Sequence, residues 1–295
     1  MALLEGFKSL DIDTSGARIH LRHAGKGPPL LLLHGNPMTH VSWHKVAPKL
    51  AERFHVVAAD LRGYGDSSAP DEGPNSINYS FRAMAQDQIE VMKRLGYREF
   101  MVAGHDRGAR TGYRMALDYP ERVKKLAVVD GLPSHYVWKH TTKESISKSW
   151  HWVFMIQPAP FPETMLGAVP ARWFLENKLS KPGLGLGFFD PEAFEEYIRC
   201  FNEKTIRGSC ADYRATATCD YEMDTADFEA GRKVTQPLLV LWGRRSHTGV
   251  VYGDVLSVWK DYAERPVGGS IDSGHYVIEQ CPHETLDWFL KFFPD

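Results

Sequence analysis

The segment Phe100-Met101-Val102-Ala103-Gly104-His105-Asp106-Arg107-Gly108 constrains the fold more than any other part of this chain. Residues 100–103 form a short, wholly apolar run, the pattern of a strand buried on both faces. The run ends in Gly-x-Asp-x-Gly, and a helical pattern over 107–118 begins at once. Glycine has no Cβ, so the two glycines let a strand turn sharply into a helix. The side chain between them is pushed out over the C-terminal end of a sheet, where open parallel sheets place their ligands. Aspartate at a helix start is also a common N-cap, so the reading of Asp106 depends on what the rest of the chain supplies.

The same rhythm extends through the first part of the sequence. Strands are expected at 17–24, 30–33, 56–59, 100–103 and 125–129, and helices at 41–53, 81–95 and 107–118. Short apolar runs alternating with helices imply an α/β fold with a mostly parallel central sheet and helices on both faces. After Pro133 the pattern becomes aromatic and helical up to about residue 231. Strand character then resumes at 238–242, with a short strand near 269–272 and a closing helix at 281–293. The expected organisation is a core domain of residues 1–132 and 232–295 with a helical cap, 133–231, inserted at a sheet end, where it can cover a site. Within the cap, 183–187 reads as a mobile glycine-rich loop; it follows no strand, so it is a poor phosphate cradle.

Composition narrows the function. The chain has 295 residues, 43% hydrophobic and 24% charged, with formal net charge −2. This balance lacks the basic surface that nucleic acid or an anionic membrane requires. No apolar stretch is long enough to span a bilayer, and the first residues lack the pattern of a secretory signal. Cys200, Cys210, Cys219 and Cys281 have no C-x-x-C spacing, which disfavours zinc and suits free thiols in a reducing, cytoplasmic setting.

Gly-x-Asp-x-Gly between strand and helix is the nucleophile-elbow pattern of the α/β-hydrolase fold, with Asp in place of Ser. In that fold the turn after an earlier strand and the residue after the nucleophile supply the oxyanion-hole N–H groups. Here these are the backbone amides of Asn36, in His34-Gly35-Asn36-Pro37, and of Arg107. His275, in Ser273-Gly274-His275, follows the last strand, where the base belongs. The turn after residues 238–242 reads Gly243-Arg244-Arg245-Ser246 and has no carboxylate, so Asp130, ending the preceding strand, takes the part of the acid that orients His275. A carboxylate nucleophile suits a saturated carbon bearing a leaving group: attack gives an ordinary ester, which His275-activated water cleaves. The candidate reactions are therefore cleavage of carbon–halogen bonds or of epoxides. Arg107 and Arg110, three apart on the first helical turn, form an anion site suited to a substrate carboxylate. His151, Trp152 and Tyr213 are donors in the cap for a departing halide.

Taken together, His40-Val41-Ser42-Trp43-His44, Gly104-His105-Asp106-Arg107-Gly108-Ala109-Arg110, His151-Trp152, Gln157-Pro158-Ala159-Pro160, Asp212-Tyr213-Arg214 and Ser273-Gly274-His275 resemble the fluoroacetate (haloacetate) dehalogenases of the α/β-hydrolase superfamily over nearly the whole chain. The resemblance implies nucleophile Asp106, acid Asp130, base His275, carboxylate-binding Arg107 and Arg110, and halide-binding His151, Trp152 and Tyr213. It implies a homodimer, no metal and no organic cofactor. Two positions depart from the pattern. Gly35-Asn36-Pro37 looks more like the haloalkane dehalogenases, in which that asparagine helps to hold the halide, although those enzymes carry Trp where this chain has Arg107. The family's aromatic cap residue shortly after a Lys-Leu pair is missing in Lys178-Leu179-Ser180-Lys181-Pro182, which bears on pocket size. An epoxide hydrolase, sharing the Asp nucleophile and His base, is the alternative; a non-catalytic binding protein on the same scaffold is the remaining one.

Overall fold

The computed structural model describes residues 3–180 and 185–294. Residues 181–184, which hold the Lys181-Pro182 departure and the start of the expected glycine-rich loop, lie outside the described residues. Eight strands form one sheet in the order β1-β2-β4-β3-β5-β6-β7-β8. They are β1 Lys8–Asp13, β2 Arg18–Ala24, β3 Pro29–Leu33, β4 His55–Ala59, β5 Phe100–His105, β6 Val123–Val129, β7 Leu238–Gly243 and β8 Pro266–Ile271. β1, β2 and β4 pair antiparallel, and every pairing from β4 to β8 is parallel.

Alternation along the central strands builds the core. Leu31, Leu33, Val102, Val128 and Val240 pack on one face, and Leu30, Leu32, Ala103, Val129 and Leu241 on the other. Both faces are covered by helices, so β5 and β7 are buried at every position. Burying each large aliphatic side chain contributes about 1.5–3 kcal/mol. Between β6 and β7 the chain is helical, from Ser134–Lys139 to Cys219–Glu229. The inserted helices carry a third cluster, in which Met155, Leu175 and Tyr197 pack with Met38, Val41 and Tyr276 of the sheet-bearing part.

Some expected elements differ. The helix expected over 41–53 is a 3-10 turn, His40–Trp43, and a single α-turn, Ala47–Leu50. Pro48 has no N–H to donate and its ring crowds the carbonyl of residue 44, so one helix cannot run through. The short strand near 269–272 runs from Pro266 to Ile271 instead. β1 lacks a sequence signal because five of its six residues are exposed at the sheet edge. Among the described residues, no helix is long and apolar enough to cross a membrane, and Cys200, Cys210, Cys219 and Cys281 are free thiols.

Candidate active site

β3 and β5 are neighbours, and the helical connections leave them toward opposite sides of the sheet; their C-terminal ends therefore make a natural cleft. Asp106 turns from β5 into the Arg107–Asp118 helix with φ 52° and ψ −108°, a left-handed backbone unusual for a residue with a side chain. The turn closes by backbone bonds from Asp106 N–H to Val129 O (3.0 Å) and from Gly108 N–H to His34 O (2.9 Å). A Cβ at Gly104 would fall 2.2 Å from Gly108 O, and one at Gly108 would fall 2.3 Å from Leu33 O. Both clashes are with backbone, which has nowhere to move. Gly108→Ala should therefore cost at least about 3 kcal/mol of stability, read as a lower urea midpoint with an unchanged slope.

The Asp106 side chain accepts no hydrogen bond from the helix it begins, so it does not serve as an N-cap. Its Oδ1 instead accepts from the Asn36 backbone N–H at 3.1 Å. Oδ2 lies 3.7 Å from His275 Nε2 and 3.6 Å from Arg110 Nη1. Burial by itself would raise the Asp106 pKa, but His275, Arg110 and Arg107 outweigh it and hold the carboxyl well below its usual range. Asp106 is therefore an anion at neutral pH.

His275 Nδ1–H donates to Asp130 Oδ2 at 2.5 Å. The turn that lacks a carboxylate supplies donors to Asp130: the Gly243 N–H (3.0 Å) and Ser246 hydroxyl (2.7 Å) reach Oδ1, and the Thr248 hydroxyl (3.3 Å) reaches Oδ2. Sequence reasoning missed Ser246 and Thr248, whose only signal is being polar just beyond β7. Beside His275, His105 Nε2–H donates to the His275 carbonyl at 2.8 Å. Burial and the nearby His275 push the His105 pKa down to about 4, so this imidazole is neutral.

The Asn36 turn is held from several sides. Buried His34 donates through Nδ1 to Gly35 O and accepts the Leu61 N–H at Nε2. The Asn36 amide nitrogen donates to Ser209 Oγ (3.0 Å) and to the Tyr64 hydroxyl (3.3 Å), and its oxygen accepts from Lys178 Nζ. Lys178 and Ser209 come from inserted helices and were not singled out as site residues from the sequence.

The arginines occupy different settings. Arg107 is fully buried, and Asp212 grips it through Nε (2.8 Å) and Nη2; it lies over the Tyr213 ring at 4.2 Å. Asp212 in turn accepts from the Tyr64 hydroxyl at 2.5 Å. Arg110 donates through Nε to Leu132 O and lies over Trp152 at 4.8 Å. Nη1 of each guanidinium is buried without a hydrogen-bond partner. His151 and Trp152 meet the Tyr213 ring edge-on at 5.7 and 5.6 Å.

A cavity of about 790 Å³ brings most of these groups together: Asn36, Asp106, Arg110, Asp130, His151, Trp152, Tyr213 and His275 all line it. Arg107 is not among its lining residues; it lies behind Tyr213. Among the described residues one group could hold a metal, His20, His40 and Asp60. It lies outside this cavity, and Asp60 already accepts the backbone N–H groups of His40 and Asp66.

The sequence profile of the α/β-hydrolase fold matches residues 28–288. Fluoroacetate dehalogenase from a Burkholderia sp is 40% identical over 294 residues, covering 99% of this chain and 96% of that one. The soluble epoxide hydrolase of Corynebacterium sp. (strain C12) is 33% identical over 283 residues, covering 95% and 94%. Epoxide hydrolase CorEH, solved without ligand, superposes with a TM-score of 0.86 at 29% identity, covering 97% and 98%. These relatives divide between the two chemistries that a carboxylate nucleophile allows.

Proposed function

The chain belongs to the α/β-hydrolase fold family, and within it we propose that this protein hydrolyses short 2-haloacids of the fluoroacetate and chloroacetate type to 2-hydroxy acids and halide. The observation that carries this reading is Arg110, which lines the cavity with its Nη1 3.6 Å from Asp106 Oδ2 and without a hydrogen-bond partner, while the buried Arg107 adds positive charge behind it. Arg110 helps to keep Asp106 ionised whatever the substrate, but its Nη1 N–H suits in addition a carboxylate one bond from the reacting carbon, a group that a neutral epoxide lacks.

In this reading the two oxygens of Asp106 take different tasks. Oδ1 already accepts the Asn36 N–H, so Oδ2 attacks the substrate's C2. The C2–halogen bond breaks with inversion, and the halide leaves toward the His151, Trp152 and Tyr213 donors. An ester now links C2 to Asp106. Water gives a proton to His275 Nε2 and adds to the Asp106 Cγ, and Asp130 stabilises the imidazolium. The negative charge collects on Oδ1, which accepts the backbone N–H of Asn36, and the Arg107 amide is proposed as the second donor. Collapse breaks the ester C–O bond, and the proton on His275 passes to the departing alkoxide; this releases the 2-hydroxy acid, which takes its oxygen from the nucleophile, and regenerates the carboxylate with an oxygen from water.

An ion-selective electrode tests the reading. Fluoride or chloride should appear in step with glycolate from fluoroacetate or chloroacetate. Diol formation from styrene oxide, with no halide from any haloacid, would instead make the protein an epoxide hydrolase, the chemistry named for its Corynebacterium relative.

A further inference from the structure

The cavity holds a donor that this mechanism does not use. Tyr252 ends the His247–Tyr252 helix just after β7 and lines the same cavity as Asp106 and Arg110. Its ring is fixed edge-on against Tyr136 at 5.6 Å and His247 at 5.7 Å. Its hydroxyl is buried and makes no hydrogen bond. The neighbouring imidazole does not engage it through Nδ1, which faces the Ser149 hydroxyl at 3.0 Å. Burial raises the Tyr252 phenol to about 12 while the nearby Arg110 cation pulls it back, so the group is a neutral O–H donor at working pH, within electrostatic reach of Arg110.

A buried hydroxyl without a partner is costly, and folded proteins rarely keep one unless something else satisfies it. Arg110, which lines the same cavity, has its Nη1 3.6 Å from Asp106 Oδ2 but likewise makes no hydrogen bond through it. Arg107, by contrast, is already gripped by Asp212 and does not line the cavity. Two residues lining the cavity, Arg110 and Tyr252, thus each hold a buried donor without a hydrogen-bond partner, a guanidinium N–H and a phenol O–H, and a carboxylate has two oxygens to receive them.

We propose that Tyr252 is a substrate-binding residue, its hydroxyl donating to the substrate carboxylate beside Arg110. The inference rests on the haloacid reading above and adds a neutral donor beside Arg110. A phenol sharpens selection without adding charge: it favours a flat, two-oxygen acceptor over a halide or a solvated anion, and it leaves the electrostatic pull of Arg110 on Asp106 unchanged.

Tyr252→Phe removes only the hydroxyl and keeps the ring packing. With chloroacetate, KM should rise about tenfold or more, the effect of losing a hydrogen bond to a charged group, while kcat stays within about twofold. The inhibition constant of acetate should rise by the same factor, and that of bromide should not move. An unchanged KM and unchanged acetate inhibition would overturn the proposal while leaving the haloacid reading intact. So would a fall in kcat at constant KM, which would make the phenol a donor to the leaving group. Wild-type protein that releases no halide from any haloacid would overturn both.

Discussion

Asp106→Asn is expected to abolish halide release, with a loss on the order of 10,000-fold or more. In the proposed reaction the carboxylate does three things that an amide does not. It is anionic at neutral pH, because His275, Arg110 and Arg107 together outweigh the cost of its burial. It directs one oxygen at the cavity while the other rests on the Asn36 N–H. It also becomes an ester that water can cleave. The amide nearly matches its shape, so the fold should survive, and the circular dichroism and unfolding midpoint should stay close to wild type. The sign of the pKa shift sets the acid side of the profile. A depressed carboxyl stays ionised as pH falls through the usual carboxylate range, so the alkylation step, measured as a single-turnover halide burst, should not weaken there. Full halide release by the asparagine variant would show that another group attacks the substrate.

His275→Asn should separate the two half-reactions. Alkylation needs Oδ2 and a leaving group, and neither depends on a base. Hydrolysis needs a proton acceptor at the position of Nε2, which sits 3.7 Å from Asp106 Oδ2. The variant should therefore release about one halide per active site and then stop. Intact-mass spectrometry of the stalled protein should show one added carboxymethyl group after chloroacetate, and peptide mapping should place it on Asp106. Steady turnover without a burst would mean that His275 does not activate the water. A burst with the label elsewhere would mean that the wrong nucleophile has been identified.

The sequence made the sheet and the position of Asp106 legible because both leave local signatures. β3, β5 and β7 are each a short, continuous apolar run, and the two close-approach glycines, Gly104 and Gly108, flank Asp106 within a few residues. Asp130 could be located by elimination, since the turn after β7 has no carboxylate, and the structure places it against His275. What the sequence hid is long-range. Asp212 grips Arg107 from 105 residues away, Lys178 reaches Asn36 from 142 residues away, and Ser246 and Thr248 approach Asp130 from 116 and 118 residues away. None of these pairings has a periodicity or a spacing that could announce it. The spacing of Arg107 and Arg110 suggested two equivalent arginines on one helical face. The packed structure seats one behind Tyr213 and the other in the cavity, and no one-dimensional pattern carries that distinction. β1 and the 3-10 turn at His40–Trp43 were hidden by edge exposure and by Pro48.

Two of the three side chains that grip the Asn36 carboxamide, Lys178 and Ser209, belong to the roof of the cavity rather than its floor. The roof is therefore geared to the chemistry below. Lifting either helix far enough to admit a larger guest would slacken the amide that steadies the nucleophile, so a widely opened molecule is a disarmed one. Catalysis and admission are thereby linked, and a change that loosens the roof should slow the reaction and at the same time weaken the hold of His151, Trp152 and Tyr213 on a departing halide.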